Sequence, residues 1–477
     1  MDDLLILGRT PVEVYEAIEI TVTLFHKLGF FMNTEKSTIS PSQTIEFLGF
    51  LIDSTSMEVR MTKTKCDKLI DLCEQLYRSP RVTIRFLAQV LGVMSASSPG
   101  NRFAKLFAKN LEMDKTCALR FAKGNYDATC SISQMARSNL RWWIANIHEI
   151  FCPLYVSEPA LVLYTDASHQ GWGSYNANSG VSAGGRWTLA ENDQHINDLE
   201  LLAVFYSLRS HCNTLTDCHV RVFTDNTVTM QCINHQGSTQ SFGCNEVTRY
   251  IWTWCVEKEL WLSAAFCPGK KNVKADKASR EFRDETEWRL NPKMFKKICM
   301  NVCTPEIDLF ASRLNKQLKE FCSWQPDPQA RFVDAFTQSW YDLSFYAFPP
   351  FSLIPRVLQK INRDKAMGIL LVPFWPTQPW MTSLQQMLVA VPLLLTVTQG
   401  TLELVHAPDK IHPLQGQLQI LVCLCHGGSM EPEVTRERLS KFCSRPSGLL
   451  PIANIQRIYK NGNIFVRGTG KIPMPRL

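Results

Sequence analysis

The chain has no apolar run long enough to cross a bilayer. The longest, Met387 to Val397, falls short of the ~20 residues a spanning helix needs and holds Pro392. It reads as buried core, and no membrane partner is expected. No secretory leader is expected either. The 17 cysteines are scattered without regular pairing, which excludes a disulfide framework. Reduced thiols in an intracellular protein, cytoplasmic or nuclear and not secreted, are the expectation. The nearest approach to a metal signature, Cys423-Leu424-Cys425-His426, lacks a second pair at ligand spacing and reads as a packed strand instead of a zinc site. There is no internal repeat. Charge of one sign is not in great excess: 51 basic against 44 acidic residues give +7, which suits a polyanionic partner without requiring one. Hydrophobic residues at 45% and charged residues at 20% exclude a disordered chain. At 477 residues the chain should form two to four domains.

Four acids occupy four recognisable settings: Asp166 in LYTDAS, Glu200 in INDLELLA, Asp225 in VFTDN and Asp276 in VKADKASR. Asp166 and Asp225 are each expected to end an apolar strand. Glu200 lies among Leu199, Leu201 and Leu202 on an expected helix, where a lone carboxylate is costly unless paired or metal-bound. Asp276 is expected to open a helix, whose dipole favours its ionised form. Each acid alone has an ordinary explanation as a turn or capping residue. Gathered together, four carboxylates suit hard divalent cations, and two such ions can clamp the oxygens of a phosphodiester.

The periodicity predicts a helix over 11–29, closed by Gly29, then short strands at Phe30–Asn33 and Ile45–Ile52. Residues 62–150 read as mainly helical, broken near Ser79-Pro80 and Ser97 to Gly100, with many Lys and Arg on either a solvated or a phosphate-contacting face. Residues 152–159 read as a linker. Strands are expected at Leu161–Thr165, Gly171–Tyr175, Gly184–Leu189, Val220–Thr224 and Leu260–Phe266, with helices at His195–His211, 226–235 and 243–259. A Pro-interrupted α/β texture follows from about 290, and a basic, weakly patterned tail from about 430.

Residues 161–282 resemble a retroelement-type ribonuclease H domain. The matches are LYTDASHQGWGSY, HINDLELLAVFYSL, VRVFTDNTVTM, INHQGS, IWTWC and CPGKKNVKADKASR. The resemblance implies a central mixed sheet flanked by helices. It implies Asp166, Glu200, Asp225 and Asp276 as ligands of two Mg²⁺ ions, with Mn²⁺ as a substitute, and hydrolysis of the RNA strand of an RNA–DNA hybrid. The chain departs from many relatives in having no His in the loop Cys267 to Lys274. Lys270 and Lys271 could contact phosphate there. Asn197, Asn226 and Gln231 are candidates for reading 2′-hydroxyls, or ordinary surface polar residues.

Residues 1–52 resemble the second half of a reverse transcriptase palm. Met1-Asp2-Asp3 resembles the end of the aromatic-x-Asp-Asp metal-binding turn, Lys36 stands at a position proposed as general acid, and Phe47 to Phe50 at the primer grip. Asp2 and Asp3 would then be vestigial polymerase ligands. The start reads as the interior of a larger domain, lacking the strand with the third carboxylate. No Mg²⁺-dependent nucleotide incorporation is therefore expected in a primer-extension assay on this chain. Residues 304–400, with IDLFASRLN, VDAFTQSW and FYAFPPF, resemble the methyltransferase-like segment of DIRS-type retrotransposons. Phe348 stands where an active enzyme would carry Asp or Asn before Pro349-Pro350, and no Gly-rich cofactor loop is evident, so a degenerate module is expected.

The expected fold is a multidomain α/β chain: a partial palm at 1–60, a mainly helical thumb and connection at 61–152, an RNase H domain at 160–285, a Pro-rich methyltransferase-like α/β domain at 300–425 and a weakly structured basic tail at 430–477. Two rival functions remain, a nuclease of the same superfold such as an integrase or resolvase, and a nucleic-acid-binding remnant without catalysis.

Overall fold

The structure, a computed structural model, describes residues 3–30, 32–33, 36–282, 284–285 and 287–428, with the strands 463–467 and 470–474. Asp2 and the rest of the expected tail lie outside the described residues. The chain divides into two compact units. One holds 1–161, 216–221 and 226–266, and the other holds 162–215, 222–225 and 267–477.

In the first unit, α1 (Pro11–Lys27) starts at Thr10, whose side chain accepts the N–H of Glu13, and it buries no residue fully. The strand predicted at Phe30–Asn33 is absent among the described residues there. The N–H of Phe30 instead bonds to the Phe25 carbonyl and closes the helix. The single strand predicted at Ile45–Ile52 is a hairpin, β1 (Thr44–Phe47) and β2 (Phe50–Asp53). Leu48 and Gly49 turn it at φ 52° and 75°, the pair of positive dihedrals a two-residue loop requires. β3 (Glu58–Met61) follows, then α2 (Lys63–Arg78), β4 (Val82–Thr83), α3 (Ile84–Ala96), α4 (Lys109–Phe121), β5 (Thr129–Cys130), α5 (Gln134–Asn146) and β6 (Cys152–Pro153). The helix breaks fall at Ser79 and Ser97, as the punctuation predicts. Leu69, Leu76, Leu87, Val90, Leu140 and Trp143 form the core between these helices.

Next come β7 (Leu161–Ala167), β8 (Gly171–Asn176), β9 (Ser182–Arg186), α6 (Leu189–Asn192), α7 (Ile196–His211), β10 (His219–Thr224), α8 (Thr227–Asn234), α9 (Phe242–Glu257), β11 (Trp261–Phe266) and α10 (Val273–Arg280). Of these strands, β7, β8 and β9 are neighbours in that order. β7, β8 and β9 are an antiparallel meander. The third strand begins and ends earlier than Gly184–Leu189, because Thr188 caps α6 with a reciprocal Glu191 bond and takes Leu189 into a helix.

The rest of the second unit holds β12 (Arg289–Leu290), α11 (Pro292–Asn301), β13 (Ile307–Asp308), β14 (Glu320–Ser323), β15 (Phe332–Val333), β16 (Ser344–Ala347), α12 (Ile354–Asp364), β17 (Met367–Pro373), α13 (Trp380–Met387), β18 (Leu393–Thr396), β19 (Leu402–Glu403) and β20 (Gln419–His426), with β21 (Asn463–Arg467) and β22 (Gly470–Met474) beyond. Its seven-stranded sheet has the order β15-β14-β13-β16-β17-β20-β18. β13 is parallel to both β14 and β16, and β20 is antiparallel to its neighbours. The chain therefore winds outward in both directions from β13 and β16, the kind of switch point where open α/β sheets hold ligands. A cavity of about 1080 Å³ opens there, lined by Phe310, Trp324, Phe336, Phe348 and Phe351 among others. Cys423, Cys425 and His426 are buried on β20. The fold is thus mixed α/β throughout.

One buried ion pair ties the segment after β13 to α6 and α7. The Arg313 guanidinium donates to both Glu191 oxygens at 2.7 and 2.9 Å, and to the Tyr206 hydroxyl at 3.3 Å. Burial pushes the Glu191 carboxyl up, but the Arg313 charge and the bonds from Arg313, Tyr206 and Thr188 outweigh it and hold the group below its usual range. Removing the cation strands a largely buried carboxylate. Arg313→Met is expected to cost about 3–5 kcal/mol in urea unfolding, whereas a loss below ~1 kcal/mol would class the pair with exposed ones.

Candidate functional site

Asp166 does not end its strand as predicted. β7 continues through it to Ala167, and Asp166 faces Gly173 across the ladder. The extension holds because Ser168 organises the following turn, its hydroxyl accepting the N–H groups of Gln170 and Gly171. Glu200 lies in the second turn of α7, on the side that buries Leu199, Ala203 and Val204. Asp225 follows β10 directly, where the Thr224 carbonyl accepts the Cys267 N–H. One oxygen from each of Asp166, Glu200 and Asp225 lies within 4.8 Å of the other two. This is the only such group of three ligating side chains among the described residues.

Asp276 stands apart from that group. It sits in the first turn of α10, not at its start, because Asn272 is the N-cap. Its Oδ1 accepts from Arg280 Nε at 2.7 Å, yet its charge still reaches Asp166. α10 comes close because two facing positions carry no side chain. A Cβ on Gly173 would lie 2.2 Å from the Ala275 carbonyl oxygen, and one on Gly184 would lie 2.5 Å from that of Ala278. Gly269 also passes close to Asp225: a Cβ there would meet Oδ2 at 2.8 Å, and the carboxylate would have to shift. Gly173→Ala is expected to push α10 off the sheet at a cost of about 1–3 kcal/mol. Urea unfolding that matches the wild type would show that α10 adjusts freely.

The electrostatics of the group disfavour three bare charges. Burial, joined by repulsion from Asp166 and Asp225, raises the Glu200 carboxyl to about 9, against an opposing bond from the Ala167 N–H. Its Oε2 is buried without a protein partner. Burial raises Asp166 to about 6, with Asp225 and Asp276 adding to the effect and the Ser279 hydroxyl resisting it. An orphaned oxygen beside two further carboxylates fits a hard divalent ion, and its charge would offset the repulsion.

The remaining predicted residues are placed as follows. Lys270 and Lys271 are exposed on the one-turn helix beginning at Gly269. Asn197 is half-buried in the first turn of α7. Asn226 caps α8, its side-chain oxygen accepting the Thr229 N–H at 2.9 Å, so that oxygen has a structural task. Gln231 is exposed on α8. Asp3 and Lys36 are exposed, and among the described residues Asp3 belongs to no group of three ligating side chains. Phe348 lines the cavity of the seven-stranded sheet. Sequence reasoning missed Ser279, fully buried with its Oγ 2.6 Å from Asp166 Oδ2, and missed Gly173 and Gly184. The alternating glycines of GWGSY, which share one face of a strand, were the available signal.

No family model matches the chain. Over 239 residues it is 25% identical to the enzymatic polyprotein of Figwort mosaic virus (strain DxS), covering 47% of this chain and 33% of that protein. Among solved structures, a foamy viral protease–reverse transcriptase in complex with double-stranded DNA is similar over 54% of this chain and 44% of its own, at 17% identity and a TM-score of 0.26. RNase H1 from Halobacterium salinarum NRC-1 is similar over 25% of this chain and 92% of its own, at 17% identity and a TM-score of 0.20. LC11-RNase H1 in complex with an RNA/DNA hybrid covers the same shares at 20% identity and a TM-score of 0.21. The chain is therefore similar to a viral enzymatic polyprotein, of whose length it spans a third.

Proposed function

We propose that Asp166, Glu200, Asp225 and Asp276 form a metal-dependent ribonuclease H centre that cleaves the RNA strand of an RNA–DNA hybrid. One observation carries the reading. Three carboxylates from separate elements converge within 4.8 Å, and one of the two buried ones, Glu200, has an oxygen with no protein partner. Asp166, Glu200 and Asp225 would hold the ions, with Asp276 drawn in from α10. Bound Mg²⁺ supplies charge to the attacking and leaving oxygens of a phosphodiester. The chain's own residues hold that charge in place. Burial strips water from Glu200, Ser279 orients Asp166, and the exposed Lys270 and Lys271 offer cations to a phosphate backbone.

The wider setting we propose is a DIRS-type retroelement polyprotein, with a palm piece at 1–60, thumb and connection at 61–152, the nuclease at 160–285 and a methyltransferase-like domain at 300–425. The strand order of the seven-stranded sheet and its cavity support a ligand-binding ancestry for the last. Phe348 in that cavity, where a hydrogen-bond acceptor would be needed, argues against amine methylation.

A second reading is favoured by one detail. Asp276 lies outside the group of three and pairs with Arg280, as in a superfold nuclease that uses three acids. Labelled RNA–DNA hybrid, RNA duplex and DNA duplex, each incubated with Mg²⁺, separate the two. The ribonuclease reading predicts cleavage of hybrid RNA alone and a loss of roughly 10²-fold or more in Asp276→Asn. Cleavage of duplex DNA with Asp276→Asn unimpaired would favour the three-acid nuclease.

A further inference from the structure

The geometry points to Ser279 as a positioning residue that sets the orientation of Asp166 for cation binding, an inference resting on the proposed metal centre. Ser279 is wholly buried on α10. Its Oγ lies 2.6 Å from Asp166 Oδ2 and 2.8 Å from the Asp276 carbonyl oxygen. A hydroxyl has one proton to donate. The shorter, charge-assisted contact to the carboxylate is the stronger choice.

The residue is also fixed from its other side. Ser168 Oγ donates to the Ser279 carbonyl at 2.7 Å, and Ser168 in turn organises the turn that lets β7 run on through Asp166. Asn272 adds a second tie, its Nδ2 donating to the Thr165 carbonyl at 2.8 Å. The close approach allowed by Gly173 puts the backbone of Ser279 directly over β8, 2.4 Å from where a Cβ would stand. Ser279 therefore has little freedom, and that rigidity passes to Asp166 through one hydrogen bond. With Oδ2 engaged, rotation of the carboxylate is restricted, and the side chain is held toward Glu200 and Asp225. α10 thus contributes twice to the centre: Asp276 as an acid, and Ser279 as the group that aims a second acid on a distant strand.

Partners that orient ligands typically change metal affinity about 10–100-fold when removed. The test is a Mg²⁺ titration of the full chain, followed by melting temperature without substrate and by hybrid cleavage with it. Ser279→Ala deletes the donor. Ser279→Cys keeps a side chain of similar shape with a weak donor, and it answers the question should the alanine variant fold poorly. Both variants are expected to need about tenfold more Mg²⁺ for half-maximal thermal shift and for half-maximal cleavage, with the KM for hybrid unchanged. A lower melting temperature with wild-type Mg²⁺ half-saturation would reduce Ser279 to a packing residue and overturn the inference. A wild-type protein with neither thermal shift nor cleavage would remove the metal centre and this inference together. A wild-type response shared by both variants would remove the role of Ser279 alone.

Discussion

Glu200→Gln is expected to stabilise the metal-free protein while abolishing hybrid cleavage. The two effects have one cause. In the fold Glu200 keeps its proton to about 9, against 4.5 for an ordinary glutamate, because burial and the charges of Asp166 and Asp225 disfavour its ionised form. The unfolded chain ionises it freely. The folded state is therefore at no disadvantage below 4.5 and loses stability as the pH rises toward 9. The slope reaches about 1.4 kcal/mol per pH unit for one group. A neutral isostere escapes this cost, so Glu200→Gln should gain about 2–3 kcal/mol near neutral pH in chelator and should flatten the decline. It should lose cleavage by roughly 10³-fold, since the group that fixes the charge-compensating ions is gone. Pulsed pH melts in EDTA, with both proteins side by side, read the first effect. A wild type whose melting temperature does not fall between 4.5 and 9 would contradict it.

The second large effect is stabilisation by metal. Mg²⁺ that binds only the folded chain should add about 2.7 kcal/mol at a hundredfold excess over its dissociation constant. EDTA should reverse this fully. Asp225→Asn should abolish the response, because it removes one of the three converging carboxylates. The response should also grow with pH across the range in which Asp166 (near 6) and Glu200 (near 9) give up their protons, since metal ligands must be deprotonated. An equal Mg²⁺ shift in Asp225→Asn would place the ion elsewhere.

How far the sequence revealed this molecule depends on the range of each interaction. The helices between Lys63 and Asn146 were legible because Ser79-Pro80 and the Ser97 to Gly100 segment punctuate them locally. The strands of the meander were legible from alternation, but their ends were not. The far end of β7 is set by its ladder with Trp172 and Gly173 and by the Ser168 turn. The hairpin at Leu48-Gly49 was hidden because leucine carries no turn signal, although its φ is 52°. Around the candidate site, the acids could be picked out because strand and helix patterns surround them. What lies between them could not. Ser279 reaches Asp166 across 113 positions, and Arg313 reaches Glu191 across 122. Neither pairing leaves a periodic trace. That Asp276 falls outside the group formed by the other three acids was equally invisible, because it turns on tertiary placement and not on local pattern.

The proposed metal centre is tested most directly by cleavage of a hybrid with labelled RNA, in Mg²⁺, by the wild-type chain and by Asp225→Asn of matched fold and purity. It predicts Mg²⁺-dependent RNA fragments from the wild type and a loss of roughly 10³-fold in the variant. Equal rates from the two proteins, or no Mg²⁺-dependent cleavage by the wild type, would contradict it.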